Sequence, residues 1–133
     1  MAEKRVIADG PFKSFIADGI RVGNTIHLSG AVSVDDEGNA LHEGDVAGQC
    51  AQAYVNIAGV LDKFGAGMND IVYETVFVTD MEGLMGNEKL LNAFFRARAK
   101  AYGGNPQVSQ SLIGVSRLIM PELMVEIQVV AHV

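Results

Sequence analysis

Cysteine is nearly missing from this chain: Cys50 is the only one among 133 residues, and tryptophan is absent altogether. A single thiol excludes an intrachain disulfide and any paired-cysteine metal or redox motif, which suits a reducing, cytoplasmic setting. Positive charge is also scarce, with ten lysines and arginines against sixteen aspartates and glutamates, a net charge of −6. A polyanion would meet an average repulsive field, so no nucleic-acid partner is expected. Arg96, Arg98 and Lys100 are the one close basic cluster, and their spacing by two reads as a solvated helix face. The N-terminal stretch to Gly10 lacks the apolar centre of a secretory signal, and no apolar run approaches the roughly 18 residues that span a bilayer. No membrane partner is expected either. Three prolines and no repeats or low-complexity tracts leave nothing to mark a linker, so residues 1–133 read as one domain.

What is present is apolar surface. Hydrophobic residues make up 49% of the chain and the mean hydropathy is +0.21, high for so small a globule. Such a chain is expected to hide apolar surface against further copies of itself. Residues 13–18 and 20–22 read as extended pieces broken by an Asp18-Gly19 hairpin turn. Gly23-Asn24 is a second turn, residues 25–29 a strand, and 32–34 an extended piece ending in the polar turn 35–39. The period then changes. Val46, Cys50, Ala53, Tyr54, Ile57, Val60, Leu61 and Phe64 form one apolar helical stripe, with Asp45 as its N-cap and Gly65 or Gly67 as its stop. Cys50 on that stripe reads as an inert buried thiol. Residues 71–79 are a β-branched strand with both faces covered, 87–102 a second helix ended by Gly103-Gly104, and 111–118 and 123–133 two strands hinged at Pro121. The order predicts an α+β domain: a mixed sheet with two helices on one face and an apolar second face left for a partner subunit.

Gln49-Cys50-Ala51-Gln52-Ala53-Tyr54-Val55-Asn56-Ile57, then Leu61, Gly65, Asp70-Ile71-Val72 and Val76-Phe77-Val78-Thr79-Asp80 resemble the RidA/YjgF family. Gly10-Pro11-Phe12, Leu28-Ser29-Gly30, Phe94-Phe95, Val115-Ser116-Arg117-Leu118 and Val125-Glu126-Ile127 fall in the same order. The resemblance covers nearly the whole chain from about residue 10. It implies a chorismate-mutase-like fold, a homotrimer with small-molecule ligands in clefts between subunits, and no cofactor. The activity it implies is hydrolysis of reactive enamines and imines to a carbonyl compound and ammonia.

That chemistry needs a donor for the substrate, a carboxyl group to activate water or carry a proton to nitrogen, and smaller donors to orient the rest. Glu126 matches the family's acid/base glutamate, with an ordinary solvated strand glutamate as the plainer reading. The family's carboxylate-binding arginine falls on Gln110, which has donors but no charge. Arg117, an odd offset of seven residues along a strand, would lie on the other face. Phe12 stands where the family often has a tyrosine and can wall the pocket without donating. Ser29 and Gly30 match the pocket-lining turn, although a serine before a glycine is also ordinary turn chemistry. Asn87 matches a pocket asparagine or, equally, starts a helix.

His27, His42 and His132 have no metal-ligand spacing, so no metal site is expected, and His27 reads as a satisfied structural histidine. Gly65-Ala66-Gly67 follows a helix and is a cap, not a phosphate loop. The expected function is therefore a RidA-type imine or enamine hydrolase with altered substrate range. The alternative is a non-enzymatic ligand-binding or sensing trimer, motivated by the missing arginine and tyrosine hydroxyl. A third label used for the family, endoribonuclease, suits neither the acidic charge nor the lack of a histidine pair.

Overall fold

The computed structural model describes residues 3–133. Strands β1 (Lys4–Ile7), β2 (Gly19–Val22) and β3 (Thr25–Leu28) form an antiparallel meander, followed by the short β4 (Ala31–Val32). Helix α1 (Val46–Lys63) leads to β5 (Ile71–Val78), then to a short α2 (Met81–Met85) and a longer α3 (Glu88–Ala101). The chain closes with β6 (Ser109–Gly114) and β7 (Val125–His132). The sheet order is β1-β2-β3-β7-β5-β6, with β4 beside β7. Among the described residues only β5 and β6 run parallel, because the α2–α3 crossover separates them.

Helix α1 forms as its stripe predicts. The Asp45 carboxylate accepts from the Gly48 amide at the N-terminus, and the chain leaves at Gly65 with φ of +74°, a value that glycine tolerates best. Cys50, Ala53, Tyr54, Ile57 and Leu61 face the sheet and meet Val76, Val78, Val125, Ile127 and Val129 in one core. Alternation along β7 sends Val125, Ile127, Val129 and Ala131 into that core, and Glu126, Gln128 and Val130 to the other face. Among the described residues no helix covers that second face. Val6, Val22, Tyr73 and Ile113 lie on it in register and remain 51%, 42%, 38% and 42% exposed.

Several boundaries differ from expectation. Residues 13–18 are not extended: Phe15 and Ile16 donate to the Phe12 carbonyl in a tight turn. Asp18-Gly19 is not a hairpin turn, because the Asp18 carboxylate accepts from the Asp9 and Gly10 amides and closes the whole 8–18 loop instead. The strand that precedes β2 and pairs with it is β1, which lacks any hydrophobic alternation to announce it. Strand β6 spans 109–114, not 111–118: it follows β5 in register and ends where β5 does, at the Val78–Gly114 pair. His27, expected as a satisfied structural histidine, is exposed on the uncovered face.

Candidate functional site

Strands β3 and β4 are two halves of one strand laid along β7. His27 pairs with Val130 and Ala31 with Ile127, so four steps on one side match three on the other. The extra residue is a bulge at Ser29-Gly30, a device that bends a strand and re-aims its side chains. The bulge carries the candidate site. A Cβ on Gly30 would lie 2.5 Å from Oε2 of Glu126 and 2.6 Å from its Cδ, so only glycine leaves room for that carboxyl. Glu126 is half-buried, and burial raises its pKa above the ordinary carboxylate value. Its strand neighbours in register are Val32 and Phe77, both apolar.

The other side of Gly30 opens on a cleft of about 640 Å³. Its walls are the 9–18 loop with Pro11, Phe12 and Ile16, the bulge with Ser29 and Gly30, and the flank of α1 at Asn56 and Val60. The Asn56 amide donates to the carbonyls of both Val32 and Val34, which ties α1 to the unpaired edge of β4 and sets the cleft floor. Phe12 packs towards the small core of Val32, Val34 and Leu123. The Ser29 hydroxyl donates to the Ala17 carbonyl at 2.6 Å, holding the 8–18 loop against the bulge. Four carboxylates (Asp9, Asp18, Asp35, Asp36) and one ammonium (Lys63) line the cleft.

Gln110 lies elsewhere. It sits on β6, the far edge of the sheet, and points to the helix-covered face, whereas Glu126 points to the uncovered one. There it belongs to a cluster whose centre is Glu74, fully buried on β5. Oε1 of Glu74 accepts from the hydroxyls of Tyr54 at 2.9 Å and Tyr102 at 2.6 Å. Oε2 accepts from Arg98 Nε at 2.6 Å and from the Gln110 amide at 2.7 Å. Arg98 is therefore not part of a solvated face: its side chain is 13% exposed, and its guanidinium lies 5.4 Å from the Tyr102 ring centroid. Burial first, and then the Glu74 charge, pushes the Tyr54 hydroxyl far above its usual pKa, so it stays a proton donor. Burial likewise pushes the Cys50 thiol up to about 12, which leaves it unreactive.

Within one chain, Phe12, Ser29 and Gly30 line the cleft and Glu126 lies against Gly30 without lining it, while Gln110 and Asn87 join neither. The Asn87 side chain accepts from the Leu90 amide as the N-cap of α3, and the residue is exposed. The Glu74 cluster escaped the sequence reading, yet a signal existed. Strand β5 is covered on one face only, with Tyr73 exposed on the other, and a lone carboxylate on its covered face among apolar neighbours requires a cationic or multiply donating partner.

Comparisons with known proteins agree with this architecture. A family model described as Endoribonuclease L-PSP matches residues 6–133. A RutC family protein of Pyrococcus abyssi is 26% identical over 123 residues, covering 92% of this chain and 87% of that one. A 2-iminobutanoate/2-iminopropanoate deaminase of Dermatophagoides farinae is 26% identical over 125 residues, covering 89% and 88%. Among solved structures, a protein of unknown function of the conserved Rid family from Yersinia pestis superposes with a TM-score of 0.81 at 26% identity, covering 98% of this chain and all of that one (100%). A YjgF/YER057c/UK114 family member from Mycobacterium tuberculosis gives 0.77 at 25%, with 98% and 100% covered. The mixed sheet backed by helices on one face is the chorismate-mutase-like fold of these proteins, and the chain belongs to the RidA/YjgF family, the one described as Endoribonuclease L-PSP.

Proposed function

We propose that the chain hydrolyses small enamines or imines to a carbonyl compound and ammonia, with a substrate range shifted away from that of the deaminase relative, in clefts between the subunits of a cytoplasmic homotrimer. The observation that carries this reading is Glu126, a half-buried carboxyl of raised pKa fitted against Gly30 beside a ligand-sized cleft. Adding water across a C=N bond requires one proton to leave the water and another to reach the nitrogen. A carboxyl whose pKa is drawn towards neutrality can carry both in turn. Ser29 and Gly30 position that carboxyl and the cleft wall, Phe12 shapes the wall, and Gln110 would meet the ligand from the β6 edge of a neighbouring subunit. The apolar uncovered face of the sheet supports self-assembly, since its exposed valines, tyrosine and isoleucine need a cover.

Ammonia release from freshly generated imines, with and without a carboxylate, tests the reading, with Gln110→Arg run alongside. Glu126→Ala should abolish the acceleration; release that survives it unchanged would overturn the assignment. One observation favours a second reading, a ligand-binding or sensing trimer without turnover: the Gln110 amide is committed to Glu74 at 2.7 Å. Tight metabolite binding with no ammonia release by either form would decide for it.

A further inference from the structure

We infer that Glu74 sets the polarity of the Gln110 corner, so that this corner receives a hydrogen-bond donor from a ligand and turns away a carboxylate. The inference rests on the reading above in one respect, that Gln110 faces the ligand. An ionised carboxylate only accepts hydrogen bonds. Glu74 therefore fixes the Gln110 side chain with its NH2 group inward, at 2.7 Å from Oε2. The amide is planar, so its carbonyl oxygen is directed away from Glu74, and among the described residues no donor reaches it. What Gln110 offers a ligand is an acceptor.

The nearby cation is occupied in the same way. Arg98 gives its Nε to Glu74 at 2.6 Å and lays its guanidinium against Tyr102, so the cation beside this corner is already paired. Four donors from α1, α3, β6 and Tyr102 thus converge on a carboxylate that belongs to the chain itself. The corner is a complete receptor for a carboxylate, filled by Glu74. The cleft at the bulge has the same polarity by an independent route, four aspartates against one lysine. The ligand class that suits both places is a small neutral or cationic amide, amine or imine without a carboxylate.

The test compares pyruvamide with pyruvate, which differ only in carboxamide against carboxylate, by calorimetric titration of the whole chain at neutral pH. Pyruvamide should bind about tenfold tighter, the scale of one mismatched charged hydrogen bond. Glu74→Gln keeps the shape and removes the charge, freeing Arg98 and the Gln110 amide; the preference should shrink or reverse. A purely structural role for Glu74 would lower stability while leaving the ratio of the two affinities unchanged. In a parallel thermal melt, Glu74→Ala removes a group whose carbons and oxygens match those of acetate. Acetate should raise the midpoint of that variant and not that of the parent, and acetamide should raise neither. Equal binding of pyruvate and pyruvamide by the parent, or an unaltered preference in Glu74→Gln, overturns this inference alone. A parent that binds neither compound overturns the ligand-cleft reading and this inference with it. The parent and Glu74→Gln arms decide the matter even if Glu74→Ala does not fold.

Discussion

Under the proposed function Glu126 carries the chemistry, because of where its carboxyl is kept. Burial favours the protonated form, so the folded pKa lies above the ordinary value of 4.5. The stability this proton contributes is full below the unfolded pKa and is lost as pH rises through the folded one. Glu126→Gln should therefore match the parent in thermal melts near pH 4 and exceed it near neutrality, while ammonia release falls by about 10²-fold or more. The same residue should leave a limb in the pH profile of kcat/KM above its ordinary pKa, absent in the variant. Gly30 is the counterpart. A Cβ there meets only the flexible end of Glu126, so Gly30→Ala should displace the carboxyl and reduce turnover sharply. Its backbone φ is not in the left-handed region, and the stability loss should stay below about 1 kcal/mol in urea titration.

At the scale of elements, the two long helices were legible, while the short α2 (Met81–Met85) and the sheet's ends were not. The stripe from Val46 to Phe64 has one apolar face and a capping aspartate, so its burial and start follow from spacing alone. Asn87 caps α3 in the same way. Asn87→Ala should lower stability by about 1 kcal/mol in urea melts, and Asn87→Ser should restore most of it. The limits of β1 and β6 depend on which strand lies beside them, information that no local pattern holds. The bulge at Ser29-Gly30 is likewise a difference of register between β3, β4 and β7, so the residues were nameable while the reason for them was not. The Glu74 cluster draws α1, α3, β5 and β6 onto one carboxylate. Its removal in Glu74→Ala leaves Arg98 charged and poorly solvated and should cost about 3–5 kcal/mol. Tyr54→Phe, which removes one donor of four, should cost about 1.5–3 kcal/mol in the same assay.

For the whole molecule, the decisive feature is a sheet covered on one side only. Val22 and Ile113 lie far apart across that uncovered face. A trimer in sedimentation equilibrium that Val22→Asp or Ile113→Asp reduces to monomers, with loss of ammonia release, is the expected result. A parent that sediments as a monomer at every concentration would remove the assembly from the proposal. The buried carboxylate of Glu74 also constrains how the chain can change over generations. Glu74 and its four donors span positions 54 to 110, and losing the acid strands a cation, while losing the cation strands an acid. Neither step is neutral alone. These five positions should therefore be inherited as a block, and among near relatives an acid at 74 should arrive and depart together with a base at 98.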